Sequence, residues 1–553
     1  MYTVYSYLRD VMVDRRELLG GAALAGAALA ASGARAQTFG ASKAPGIDPV
    51  TLIDTAQGRV RGYRNGDVRI FKGIPYAADT GGSGRFLPPG PAPKWGGTRS
   101  CMNWGPTCPQ QARTGWSNDE EAWLFHWDDG YTGEDCLRLN VWGRTDARNA
   151  PVMVWIHGGG YTAGSSQELA GYDGTRMAAN HGIVFVSVNH RLGPLGYMDL
   201  SEVGGSAYAQ SGNAGVLDLV AALQWVKANI AAFGGDPGNV TIFGQSGGGS
   251  KVSTLMGMPA AAGLFHKAMI HSGASLLGND SNRARAFTRE VLAELGIGKE
   301  IFRLQAIPTA ALIDAGQKVA RRLSAGQPTN LTIGGPRRRA PGWSPVVDGV
   351  TIPEAPFVDR APAISAHVPL VVGSVRDESG GALPEFDEAE LMKRMANVPA
   401  ASRGEALAAF RAAFPGLSPG HLSRVMAAMA GRNNSVHFAN LKTAQGAAAY
   451  TWYMTFACPS LEGRWGSFHC IDIPFATDNV ERWATATGNT PGAQALGRAM
   501  SSAWAAFART GNPSIRGLAW PRHDDRVPTM VYDNVSKVMM DPAGVARRAV
   551  MAT

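Results

Sequence analysis

An α/β fold on a large, mainly parallel central sheet is what the order of apolar runs and helical patterns in this sequence predicts. Four apolar runs carry the prediction, at 151–156, 183–188, 240–243 and 368–372. Each is short, nearly continuous and rich in β-branched residues, as strands buried on both faces are. Helical patterns lie between them. The clearest runs from Leu217 to Ile230, with apolar residues at helical spacing and Phe233-Gly234-Gly235-Asp236-Pro237 as its stop. Strand alternating with helix puts helices on both faces of the sheet. The stretches 280–330 and 386–430, rich in Ala, Leu and Arg, read as helical insertions over the C-terminal edge of the strands, where ligands enter open α/β folds.

At 553 residues the chain has the length of three or four domains of about 150 residues each. No Ser/Gly-rich linker, low-complexity tract or internal repeat divides it, so a single domain over 51–553 is expected. With 45% hydrophobic and 17% charged residues it has the composition of a globular protein with a large core. The net charge of +8 is scattered along the chain. The compact basic run, Arg337-Arg338-Arg339, sits between Pro/Gly-rich stretches and reads as a solvated loop, so no nucleic-acid partner is expected. Nothing in the sequence specifies an oligomeric state.

The N-terminus reads as an export signal over 1–36, followed by a short segment over 37–50. Arg15-Arg16 precede a small-apolar stretch from Gly20 to Ala31, and Ala34-Arg35-Ala36 forms an A-x-A cleavage site before Gln37. The apolar stretch is too short and too rich in Gly and Ala to span a bilayer, so no membrane span is expected. Adjacent arginines point to the bacterial twin-arginine route, with an ordinary secretory signal as the alternative. Either route makes the mature chain periplasmic or secreted. The five cysteines, Cys101, Cys108, Cys136, Cys458 and Cys470, form no C-x-x-C pair and no Cys/His cluster, which gives no reason to expect a metal.

Gly244-Gln245-Ser246-Gly247-Gly248 follows the apolar run 240–243 and precedes a helix-compatible stretch from Lys251. G-x-S-x-G between strand and helix is a nucleophile elbow. Its turn is so tight that residues flanking the serine must be glycine, and it leaves the Ser246 hydroxyl in a cleft at a helix N-terminus. Backbone N–H groups to stabilise an oxyanion are expected from Gly247 and from Gly159 and Gly160, in the run His157-Gly158-Gly159-Gly160 after an earlier strand. The same Gly-rich stretch suggests a phosphate loop, but that motif needs Gly before its Lys and Ser or Thr after it. Here Ser250 precedes Lys251 and Val252 follows, so nucleotide binding fails.

Further segments make the chain resemble the type-B carboxylesterase family, which includes cholinesterases and bacterial p-nitrobenzyl-type esterases. They are Phe71-Lys72-Gly73-Ile74-Pro75-Tyr76-Ala77, Arg85-Phe86 before Pro88-Pro89, Glu134-Asp135-Cys136-Leu137, Asn189 with Arg191, and Thr510-Gly511-Asn512-Pro513. The resemblance covers roughly 51–541 and implies an α/β-hydrolase fold. It also implies a serine hydrolase that cleaves small-molecule carboxylic esters through an acyl-enzyme on Ser246, without a cofactor. The family's acid matches Glu378 in Arg376-Asp377-Glu378, and its histidine matches His469 in His469-Cys470-Ile471-Asp472-Ile473-Pro474. Residues alone do not choose His469 among eleven histidines.

The resemblance further implies that Ser272, in His271-Ser272-Gly273, supports the acid, and that Cys108 and Cys136 form a disulfide. Two alternatives stand beside the esterase reading. One is an amidase or carbamate hydrolase with the same residues; the other is a binding homologue that has lost the serine, which the presence of Ser246, Glu378 and His469 opposes. The chain departs from the family at Gln245, where Glu is usual, and at Gly247, where Ala is usual. A neutral Gln245 implies a preference for neutral, hydrophobic or aryl esters over cationic ones.

Overall fold

The four runs read as strands are strands, and they form the middle of an eleven-stranded sheet. The computed structural model describes residues 48–111, 119–275, 279–298, 300–325, 341–381, 383–396 and 398–550. The chain divides into a unit over 1–49 and a second over 50–553, and every element below belongs to the second. The export signal over 1–36, most of the segment 37–50 and the basic run 337–339 lie outside the described residues.

In chain order the strands of this sheet are β1 (Tyr63–Asn65), β2 (Val68–Pro75), β3 (Arg138–Arg144), β4 (Ala150–Ile156), β5 (Val184–Val188), β6 (Gly235–Gln245), β7 (Lys267–His271), β8 (Leu370–Val375), β9 (Ala449–Met454), β10 (Pro528–Tyr532) and β11 (Lys537–Met540). They lie side by side as β11-β10-β9-β8-β7-β6-β4-β5-β3-β2-β1. From β10 to β5 every neighbour is parallel. Both edges turn antiparallel. A separate small sheet joins Leu52–Asp54, Arg59–Arg61 and Thr98–Ser100. β8 starts after Pro369, a residue with no N–H to give to a ladder.

Alternate residues of the central strands enter different cores. In β4, Val152, Val154 and Ile156 join one cluster, while Met153 and Trp155 join another. Helices α1 (Ala214–Asn229), α2 (Gly247–Met256) and α3 (Pro419–Ala444) contribute to the first, and α4 (Pro491–Thr510) to the second. The sheet is therefore covered on both faces, which is why its strands carry no polar alternation. After α1 the chain turns through Ile230–Phe233 and is stopped by Gly234 at φ 84°.

The order β5-β4-β6 sets the position of the site. The chain leaves β4 for β5 on one side and returns to β6 on the other, so the segments after β4 and β6 diverge above the same crevice. The helical stretches contain Ser281–Glu294, Thr309–Ser324, Glu388–Arg394 and Arg403–Ala413. The stretch 386–430, expected as a covering insertion, departs from that in its last part. There α3 runs on to Ala444 and packs against β8 and β9, as the crossover that two parallel strands require. Among the described residues one helical stretch, Ser206–Phe233, is long and apolar enough to cross a membrane, and 61% of its most apolar window is buried in the fold.

No two of the five cysteines lie at disulfide-bonding distance, the implied pair Cys108 and Cys136 included. The two are buried neighbours in hydrogen-bond contact, and that bond, followed by burial, pushes the Cys136 thiol well above its ordinary pKa. The Cys108 sulfur also accepts the Leu192 N–H at 3.2 Å and donates to the Pro109 carbonyl at 3.7 Å.

Candidate active site

β6 ends at Gln245, and Ser246 turns the chain into α2 at φ 57° and ψ −125°. A serine pays for this conformation with about 1–3 kcal/mol of strain, which the surrounding structure must hold. Part of that hold is the Ser246 N–H bond to the His271 carbonyl on β7, at 2.8 Å. The glycines answer to close approach. A Cβ on Gly248 would stand 2.0 Å from the Ile156 carbonyl oxygen, and one on Gly247 would stand 2.2 Å from that of Gly160. The elbow thus presses directly on the segment leaving β4.

That segment is the run His157 to Gly160, with Gly159 at φ 79° and Gly160 at φ 62°. Among the described residues no backbone carbonyl takes the N–H of Gly159 or Gly160. Gly247 is the first residue of α2, so its N–H has no partner within the helix. Lys251, the residue that suggested a phosphate loop, is fully buried and donates to the His157 carbonyl at 3.4 Å. The His157 ring stacks on His190 with centroids 4.5 Å apart. Burial first, then the charge of Lys251 and the neighbouring His157, hold His190 well below its ordinary pKa and neutral.

Glu378 and His469 arrive from the far side of β7. Glu378 follows β8 at φ 50°, and its Oε2 lies 2.5 Å from His469 Nδ1. Its Oε1 accepts the Val375 N–H at 3.2 Å. Burial pulls the His469 pKa down, but the hydrogen bond and charge of Glu378, with the charge of Asp472, outweigh it and raise the imidazole above its ordinary value. Among the described residues no hydrogen bond joins the Ser272 hydroxyl to Glu378, the support that the resemblance implies. At φ 44° the Ser272 N–H bonds the Gly373 carbonyl, and among the described residues its buried Oγ has no hydrogen-bond partner.

Three anchors were not read from the sequence. Asp377 accepts the Ser467 N–H at 2.6 Å, pairs with His421 Nε2 at 2.5 Å and meets Arg376 at 2.8 Å. Burial raises its pKa, but these partners overcome that and hold the carboxyl below the ordinary range. Asp472 accepts from His271 Nδ1 at 2.8 Å, while Trp504 donates to His271 Nε2 at 2.8 Å, which fixes the tautomer of a fully buried imidazole. The signal for Asp472 was its place in the histidine segment; Asp377 stood beside Glu378. The third is Cys470, at φ 82°.

Gly159, Gln245, Ser246, Glu378 and His469 line one cavity of about 400 Å³. Gly160 and Gly247 touch each other beside it. Among the described residues no hydrogen bond joins Ser246 to His469. The imidazole Nε2 faces the Gln245 amide nitrogen at 3.1 Å, and the Cys470 thiol donates to that amide's Oε1 at 3.3 Å. Phe125, Trp127, Tyr172, Trp465 and Phe468 supply aromatic lining, with the carboxylates of Glu121 and Glu168. Phe125 stacks on Trp127 at 4.7 Å, and Glu120 holds the Trp465 indole N–H at 2.9 Å. Among the described residues no group of three or more His, Cys, Asp or Glu side chains is arranged to hold a metal ion.

A family model described as the carboxylesterase family matches residues 49–541. The chain belongs to the carboxylesterase family. It is 32% identical over 504 residues to a para-nitrobenzyl esterase of Bacillus subtilis, covering 90% of this chain and 98% of the relative. It is also 32% identical to the phenmedipham hydrolase of Pseudarthrobacter oxydans over 517 residues, covering 89% and 97%. A solved esterase from Clostridium hathewayi, described as able to hydrolyse aliphatic aromatic polyesters, superimposes with a TM-score of 0.77 at 33% identity, covering 91% of this chain and 98% of that one. The carboxylesterase is a serine hydrolase of carboxylic esters, and its sheet is that of the α/β-hydrolase fold.

Proposed function

We propose that Ser246 is the nucleophile, His469 its base and Glu378 the acid that orients and stabilises the imidazole. The observation that carries this reading is the meeting of all three, from three distant segments, in one cavity with the 2.5 Å bond between Glu378 and His469. Ser246 Oγ gives its proton to His469 Nε2 and attacks the ester carbonyl. The N–H groups of Gly159, Gly160 and Gly247 receive the oxyanion. The alcohol leaves with the proton from His469, and water then repeats the cycle to free the acid and Ser246. In this reading Ser246→Ala lowers kcat by about 10⁴–10⁶; an intact variant that keeps a tenth of the activity contradicts it.

The aromatic lining favours neutral, hydrophobic or aryl esters, as the neutral Gln245 does. Glu121 and Glu168 give a cationic alcohol another source of attraction. Comparing an acetylcholine-type ester with its 3,3-dimethylbutyl analogue separates these effects. A kcat/KM ratio near one is expected, and a cation preference of roughly a hundredfold, about 2.7 kcal/mol, assigns the specificity to those carboxylates. The second reading, hydrolysis of amides or carbamates by the same residues, is favoured by the relative named phenmedipham hydrolase. A screen of short-acyl, long-acyl, aryl, amide and carbamate substrates decides between them.

The order of arginine pair, apolar stretch and A-x-A site supports export to the periplasm or medium. There the adjacent Cys108 and Cys136 thiols close into a disulfide after the chain has folded.

A further inference from the structure

We propose that Gln245, oriented by the Cys470 thiol, is a positioning residue that keeps the resting His469 imidazole neutral until Ser246 Oγ takes the amide's place at Nε2. The inference rests on the roles proposed above for Ser246, His469 and Glu378. Glu378 faces Nδ1 at 2.5 Å, so Nδ1 carries the proton of the neutral ring and Nε2 presents a lone pair. The group in front of that lone pair, at 3.1 Å, is the Gln245 amide nitrogen, a donor. A donor on Nε2 stabilises the neutral ring and opposes the imidazolium, whose Nε2 carries a hydrogen of its own.

An amide can present either end, and Cys470 selects which. Its thiol is a donor, and at 3.3 Å it holds the amide oxygen, which turns the NH₂ group toward His469. Gln245 is 1% exposed, so its amide is held among protein groups where it meets the cavity. Cys470 adopts φ 82°, a left-handed conformation that favours glycine, yet a side chain is carried there at the cost of strain. The charges that act on the imidazole pull the other way: Glu378 and Asp472 raise its pKa. Glu121 and Glu168 line the same cavity. A glutamate at 245 would add another carboxylate, directly on Nε2. Gln245 and burial are what oppose them.

The test is the acid limb of the kcat/KM profile of the mature chain with a neutral aryl ester. Gln245→Glu should move that limb up by about one to three pH units. Cys470→Ala frees the amide to turn its oxygen to Nε2 and should move the limb up by roughly half a unit to one unit. Cys470→Gly, which also relieves the positive φ, should move it equally with no loss of thermal stability. Cys470→Ser keeps a donor and should restore the parent profile. Each protein is first labelled with a fluorophosphonate and the label mapped. Superimposable limbs in all variants, with labelling at Ser246 intact, overturn this proposal alone. Ester hydrolysis without labelling at Ser246 overturns the functional reading and this one with it.

Discussion

On the Ser246 side of the cavity, backbone presses on backbone. Gly248 meets the Ile156 carbonyl, Gly247 meets Gly160, and Ser246 is pinned by the His271 carbonyl. On the side of Glu378 and His469, side chains do the holding. Asp377 grips the Ser467 N–H two residues before His469, and Asp472 grips His271 three residues after it. The first arrangement tolerates no extra atom, while the second is a set of hydrogen bonds that can be removed singly. The lesson is about modes of failure. The elbow should break all at once, and the other side by degrees.

The largest effect is expected at Gly248. A Cβ 2.0 Å from a strand carbonyl cannot be accommodated by rotating a side chain, so Gly248→Ala should cost more than about 4 kcal/mol and abolish folded protein. Thermal melting or soluble yield reads this out, and a melt within a few degrees of the parent would show that β4 and α2 can separate.

Asp377→Asn should do less and do it selectively. Losing a charged hydrogen-bond partner costs about 1.5–3 kcal/mol, and kcat should fall more than KM changes, since His469 is loosened while the cavity keeps its lining. The pH dependence follows from the lowered pKa of Asp377. Its contribution is present above the ordinary aspartate value of 3.8 and is lost as pH falls below it. Denaturant melts of parent and variant should therefore converge in acid. Equal stability at neutral pH would contradict this account of the anchor.

The same contrast explains what the sequence revealed. The elbow, the Gly run and the four central strands were legible because each is a local pattern whose geometry is dictated by adjacent residues. The parallel centre was legible from uninterrupted apolar runs, but the antiparallel edges were not, since β10 and β11 carry no distinguishing periodicity. Glu378 and His469 lie 91 residues apart, and their pairing entered only through resemblance to a family. His421 meets Asp377 across 44 residues and Trp504 meets His271 across 233, contacts that no local spacing announces. Ser272 is a related case: its motif was legible, while its Oγ has no hydrogen-bond partner among the described residues.

The smallest effect is expected at Cys108 and Cys136, which belong to neither side of the comparison. Chain recovered from the periplasm should show the pair bonded on non-reducing peptide mapping, and the double Cys→Ser variant should still fold and hydrolyse esters. Free thiols in that material would remove the disulfide; a variant unable to fold would show that the bond closes before the core does.

The central claim is that one serine, held out by the elbow, receives the acyl group. Its direct measurement is to label the enzyme with a fluorophosphonate and map the adduct by mass spectrometry. A single adduct on the peptide containing Ser246, blocked in Ser246→Ala and accompanied by stoichiometric loss of ester hydrolysis, is the predicted result. An adduct at any other residue, or full activity with Ser246 modified, would contradict it.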